Sequence, residues 1–192
     1  MDEIKILQEI EESRAVKEKL KDQTDIILAM AQDIIRALGN GGKIVFFGNG
    51  GSAADAQHLA AELVGRFHKD RISLPAIALT TNTSVMTAVS NDWSFEEIFA
   101  RQIAALVSEK DLVIGISAGG MSKNALRGMD EAKRKGAKTL ALTGKGGGKL
   151  ATMVDKSIVV PSDNTPRIQE AHITIGHIIC GIVEDFVLKD SG

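Results

Sequence analysis

His58 and Glu62 stand four residues apart, the spacing that puts two side chains on one face of a helix. Gln57 and Arg66 flank them. Far along the chain, Gln169, His172 and His177 fall in an otherwise apolar stretch that reads as one helix. A histidine, a carboxylate, an amide and a second histidine can together form a divalent metal site. Each also has a plainer reading. A His-x-x-x-Glu pair can be a solvated helix face or an incidental ion pair, and His177 alone can be a hydrogen-bonded core histidine. Spacing adds a constraint: Gln169 and His177 are about 12 Å apart along a helix axis. One ion joins them only if both side chains lean inward, or if they come from different subunits.

Two loops could hold an anion. Gly48-Asn49-Gly50-Gly51-Ser52 directly follows the apolar run 44–47 and directly precedes a helical segment. Its glycines permit close backbone approach, and the new helix offers free N–H groups and a positive dipole end. It lacks the Gly-Lys-Ser/Thr of a Walker A loop, and Ala53 replaces the last glycine of a dinucleotide fingerprint. Ser117-Ala118-Gly119-Gly120-Met121-Ser122 again lies between an apolar run and a helix, with Ser122 placed to cap the helix from Lys123. A tight turn would explain the first loop and capping the second. Two such loops in one small chain together suggest a phosphate and a polyol chain.

The elements that must position these groups can be read from periodicity. Residues 4–38 form an amphipathic arm of two helices with a break near 21–23, stopped by Gly39, Gly41 and Gly42. Its apolar stripe has to be buried, and a partner subunit is the expected place. Short apolar runs at 44–47, 76–79, 112–116, 139–142 and 158–160 alternate with helical segments at 53–67, 95–107, 123–135 and 149–154. A long helix follows over 167–188. Apolar strands alternating with helices predict an α/β three-layer sandwich with a five-stranded parallel sheet covered on both faces. The reading is one domain over 1–192, with the arm at 1–38 and the α/β core with its last helix at 39–192. Ligands in such folds bind at the carboxyl ends of strands, where both loops fall.

Composition narrows the classes. In 192 residues, 44% are hydrophobic, enough for a substantial core, and the net charge of -2 gives no basic excess for nucleic acid. Cys180 is the one cysteine, in an apolar run, and reads as a buried structural thiol. The start Met1-Asp2-Glu3-Ile4-Lys5 is charged and lacks a signal peptide's apolar core. No apolar stretch approaches the roughly 20 residues of a membrane span. A cytoplasmic protein with no membrane partner is expected.

The run from Gly48 to Leu63 closely resembles the first signature of bacterial phosphoheptose isomerases, which are SIS (sugar isomerase) proteins. So do residues 74–81, Asn91-Asp92, residues 115–117, 142–145 and 167–172, in the same order over nearly the whole chain. The resemblance implies a flavodoxin-like SIS fold and a homotetramer with active sites between subunits. It also implies a zinc-dependent aldose–ketose isomerase, with one Zn2+ per subunit, in the pathway to lipopolysaccharide heptose. By motif, His58, Glu62, Gln169 and His177 match the zinc positions, with Glu62 and His177 also the acid–base pair. Asn49, Gly50, Gly51 and Ser52 match substrate contacts, Asn91 and Asp92 a second contact group, and Ser117, Ala118, Gly119 and Ser122 the phosphate cradle. Glu62 and Gln169 also contact substrate in the family.

This sequence departs from the pattern in the second loop, where Ala118 and Gly119 occupy hydroxyl positions and Met121 a polar one. Asn82 stands where aspartate is common. The altered loop leaves an isomerase of another sugar phosphate as an alternative. Non-catalytic SIS proteins that bind the replication initiator are a third class, but they lack the equivalents of Glu62 and His177, both present here.

Overall fold

The computed structural model describes residues 3–190; the ends of the predicted arm and domain, Met1, Asp2, Ser191 and Gly192, lie outside the described residues. Five parallel strands run in the order β2-β1-β3-β4-β5. They are β1 (Ile44–Gly48), β2 (Ala76–Ala78), β3 (Leu112–Ser117), β4 (Lys138–Thr143) and β5 (Lys156–Val159). Side chains alternate across each strand. Ile44, Phe46, Ile114, Ile116, Leu140 and Leu142 join one apolar cluster, while Val45, Phe47, Val113 and Ala141 join a second on the opposite face. The predicted three-layer sandwich is therefore what forms. β2 departs from the expectation of strands buried throughout. It is a three-residue edge strand with Ile77 exposed.

The first face is covered by α2 (Thr24–Gly39), α3 (Gly51–Val64) and α8 (Thr165–Asp190). The second is covered by α5 (Ile98–Leu106), α6 (Lys123–Arg134) and α7 (Gly148–Met153). Cys180 is buried in the first cluster, where loss of water pushes its thiol up to about 12, as befits a packing residue. Contrary to the expectation that no stretch approaches a membrane span, α8 is, among the described helices, the one long and apolar enough to cross a membrane. The reason is that its apolar residues serve the core, where it packs against α2 and α3.

The arm divides in two. Its break falls at a 3-10 turn, Leu20–Gln23. α2 does not wait for a partner: Ile27, Met30, Ala31, Ile34 and Ala37 are buried in the chain's own core, against α8 and the sheet. α1 (Glu3–Lys19) keeps its apolar positions exposed, with Val16 its single buried residue, whereas on α2 Leu28 is the exposed large apolar side chain.

One helix was not foreseen. α4 (Thr83–Asp92) is rich in Thr, Ser and Val, residues of low helix propensity. Its signal was at the N-cap: Asn82 Oδ1 accepts from Val85 N at 3.0 Å. The predicted helix 95–107 is a 3-10 turn, Phe95–Glu97, followed by α5, and the helix predicted over 53–67 is shifted to Gly51–Val64.

Candidate active site and metal centre

The first loop leaves β1 at Gly48 and enters α3 at once. Gly50 takes φ +55, a left-handed conformation that favours glycine, and occupies the N-cap position of α3. Gly51 is required for a different reason. A Cβ there would lie 2.5 Å from Gln169 Nε2, so the amide of α8 rests directly on the loop backbone. Ser52 is buried, and its N–H donates to Asn49 O at 3.0 Å.

The second loop leaves β3, the strand beside β1. The two loops are joined by a reciprocal amide pair: Asn49 Nδ2 donates to Asn124 Oδ1 at 2.8 Å, and Asn124 Nδ2 to Asn49 Oδ1 at 2.9 Å. Asn124 is a buried residue that the sequence reading missed. Its place one residue into the helix after the loop was the available signal. Ser122 holds the N-cap position of α6 but makes no side-chain capping bond. Its hydroxyl lies 3.4 Å from that of Ser117, so capping does not account for it. Ala118 packs partly buried against the core, whereas a Cβ on Gly119 would meet nothing within 4 Å. Met121 is exposed and its Sδ accepts from Lys149 N. Lys123 points to Glu96, 2.9 Å away, instead of back to the loop.

His58 and Glu62, one turn apart on α3, meet His177 from α8. His58 Nε2 is 3.0 Å from Glu62 Oε1 and 3.0 Å from His177 Nε2, and donor atoms of all three lie within 4.8 Å of one another. Two imidazoles and a carboxylate with converging lone pairs suit a divalent ion such as zinc. Helix direction explains the convergence. Gly51 meets Gln169 at the start of each helix, and two turns on Leu59 meets Gly176, so α3 and α8 run side by side in the same direction. The same fact separates Gln169, which sits at the first loop and not with the three converging groups. His172 is also elsewhere. It is fully buried, Nε2 is 3.0 Å from Thr143 O, and burial pulls its pKa down to about 4, only partly offset by that bond.

Asp55, on α3 before His58, has a buried Oδ2 without a hydrogen-bond partner. Loss of water pushes its carboxyl up to about 6, against an opposing pull from His58. Asn91 and Asp92 end α4, hydrogen-bonded to each other at 2.9 Å; among the described residues neither bonds to either loop.

The parallel sheet, its two strand-end loops and the grouped donors define an α/β protein with a candidate ligand and metal site, and relatives specify the family. The SIS domain family model matches residues 10–144. A phosphoheptose isomerase of Thermodesulfovibrio yellowstonii is 50% identical over 97% of this chain and 94% of its own. Solved phosphoheptose isomerases of Francisella tularensis and Neisseria gonorrhoeae superpose with TM-scores of 0.92 and 0.90, at 39% and 38% identity. They cover 96% and 94% of this chain, and 100% and 97% of their own. The chain belongs to the SIS-domain family, among its phosphoheptose isomerases.

Proposed function

We propose that this protein is an aldose–ketose isomerase that converts sedoheptulose 7-phosphate to D-glycero-D-manno-heptose 7-phosphate in the cytoplasm, supplying lipopolysaccharide heptose. The observation that carries this reading is the meeting of His58, Glu62 and His177, two turns along α3 and α8 from a glycine-bearing loop that Asn49 and Asn124 join to a second. Interconverting a 2-ketose and an aldose moves a proton between C1 and C2 through an enediol, which needs a base for a carbon acid and a group that manages protons at oxygen. Glu62 takes the role of base and His177 that of acid on the opposite side. Without an ion, His58 Nε2 lies within hydrogen-bond distance of both. A zinc ion held by His58, Glu62 and His177 would supply Lewis-acid polarisation of the carbonyl.

The first loop, residues 49–52, and Gln169 above it bind the polyol. Ser117, Ser122 and the backbone N–H groups at the start of α6 bind the phosphate, helped by the helix dipole. As a fourth metal ligand, Gln169 would come from a neighbouring copy, because in its own chain it lies against Gly51. Asn91 and Asp92 fit the same arrangement, as contacts made across a subunit boundary in a homotetramer. The test is an isomerase assay of purified protein on sedoheptulose 7-phosphate, after chelation and after zinc is restored. Turnover abolished by chelation and recovered with zinc is expected. No turnover in either state would overturn the reading.

A further inference from the structure

We infer that Arg71 and Glu184, a buried ion pair outside the proposed chemistry, are positioning residues that hold Glu62 and His177 in register. This inference rests on the isomerase reading for its kinetic readout and on the His58–Glu62–His177 group for its metal readout.

α3 ends at Val64, two residues after Glu62. The last carbonyls of a helix have no partner within it and must find donors elsewhere. Arg71 supplies them. Its Nη2 donates to Glu62 O at 2.7 Å, and Nη1 to Leu63 O, Gly65 O and Ile72 O at 2.9, 3.1 and 2.8 Å. One guanidinium therefore ties the residue that carries the proposed base to the chain that follows. Its charge also complements the negative end of the α3 dipole.

Glu184 lies on α8, two turns beyond His177 and on the same side of the helix. Its carboxylate accepts from three successive backbone N–H groups, Phe67, His68 and Lys69, at 2.9, 2.8 and 3.0 Å. Arg71 Nε stands 3.5 Å from Glu184 Oε1, and both side chains are only 2% exposed. The segment after α3 is thus fastened at one end to the helix of Glu62 and along its middle to the helix of His177. Held this way, Phe67 lays its ring 5.5 Å from the ring of His177. A buried ion pair is weak evidence for stability, since desolvation can cancel its attraction. Its partners here are instead the backbone groups that fix where two functional helices sit relative to each other. Groups bonded directly to a metal ligand typically govern metal affinity and activity by roughly 10- to 100-fold. Arg71 and Glu184 act one step further out, through the backbone of Glu62 and the ring of Phe67, so the lower end of that range applies.

Three variants test this. Arg71→Lys keeps charge but loses the fork, Glu184→Gln keeps shape but loses charge, and Phe67→Leu leaves the pair and removes the ring on His177. For each, circular dichroism reports folding, competition with a fluorescent chelator reports zinc affinity, and steady-state rates on sedoheptulose 7-phosphate report kcat and KM. In the folded fraction we expect zinc affinity and kcat each to fall roughly tenfold or more for the first two, with KM within about twofold, and smaller shifts the same way for Phe67→Leu. Wild-type zinc affinity and kcat in folded variants would overturn the inference, as would losses that merely track the unfolded fraction. If Arg71→Lys does not fold, the other two decide. Should the wild type bind zinc yet not turn over the heptulose phosphate, the isomerase reading fails, while the zinc arm still decides the positioning role.

Discussion

Glu62 is the residue on which the proposed chemistry depends most directly. Glu62→Gln keeps its size and hydrogen bonding but cannot take a proton from carbon. Its kcat should fall by roughly 10² or more, and His177→Ala should behave similarly. Near wild-type turnover by either would remove the acid–base assignment. The second loop gives a different kind of prediction. A hydrogen bond to a charged group contributes about 1.5–3 kcal/mol, so a restored hydroxyl should lower KM roughly 10- to 100-fold. Gly119 is the place to restore it, because a side chain there meets open space. Ala118 is not, since its methyl already packs on the core. Gly119→Ser should therefore lower KM and leave kcat nearly unchanged, as expected for contacts that bind ground and transition states alike. Steady-state comparison on the same heptulose phosphate decides it. An unchanged KM would mean that backbone N–H groups, Ser117 and Ser122 already suffice, for Lys123 is engaged with Glu96.

At the scale of elements, α8 joins function and stability. Its histidines had one appearance in sequence and two fates in the fold. His177 faces α3 and the converging donors, while His172 is buried against the end of β4. Spacing along the helix could not separate them, because what differs is the neighbour on each side. The strands and the two loops were legible, since apolar runs of strand length followed by glycine and a helix leave few alternatives. α4 was not, because weak helix formers hid it, and the meeting of Asn49 with Asn124 was not, because it bridges residues 75 apart. His172 makes this scale testable. Its folded pKa lies near 4, below the ordinary histidine value of 6.5, so between those values the unfolded chain binds a proton that the folded chain refuses. Stability from this residue is intact above about pH 6.5 and is lost as pH falls toward 4, by about 3 kcal/mol in all. His172→Leu should flatten that part of the stability–pH curve. Thr143 O keeps a partner in the variant, because Val160 N also donates to it at 2.8 Å. Denaturant unfolding of both proteins at pH 7 and pH 4.5 measures the difference, and equal losses in the two would refute the assignment.

For the whole molecule, α1 is the element whose apolar residues the chain does not cover. Ile4, Leu7 and Ile10 are 65%, 60% and 62% exposed, although polar groups hold the helix in place. Ser13 Oγ donates to Glu170 Oε2 at 2.6 Å, and Arg167 reaches the carbonyl and carboxylate of Glu9. Those anchors flank Gln169 on α8, so whatever α1 packs against is held close to the residue at the first loop. A helix fastened by its polar side with its aliphatic side open is arranged to meet another subunit. Burying such side chains contributes about 1.5–3 kcal/mol each. Leu7→Glu with Ile10→Glu should thus break a tetramer into smaller species at micromolar concentration. Both residues face outward in the chain, so its circular dichroism should not change. If the sites are shared between subunits, activity should fall together with size, and raising the protein concentration should recover part of both. Light scattering alongside the isomerase assay measures this. A variant that remains tetrameric would remove α1 from the interface, and a dispersed variant with full turnover would separate the active site from the assembly and return Gln169, Asn91 and Asp92 to roles within a single chain.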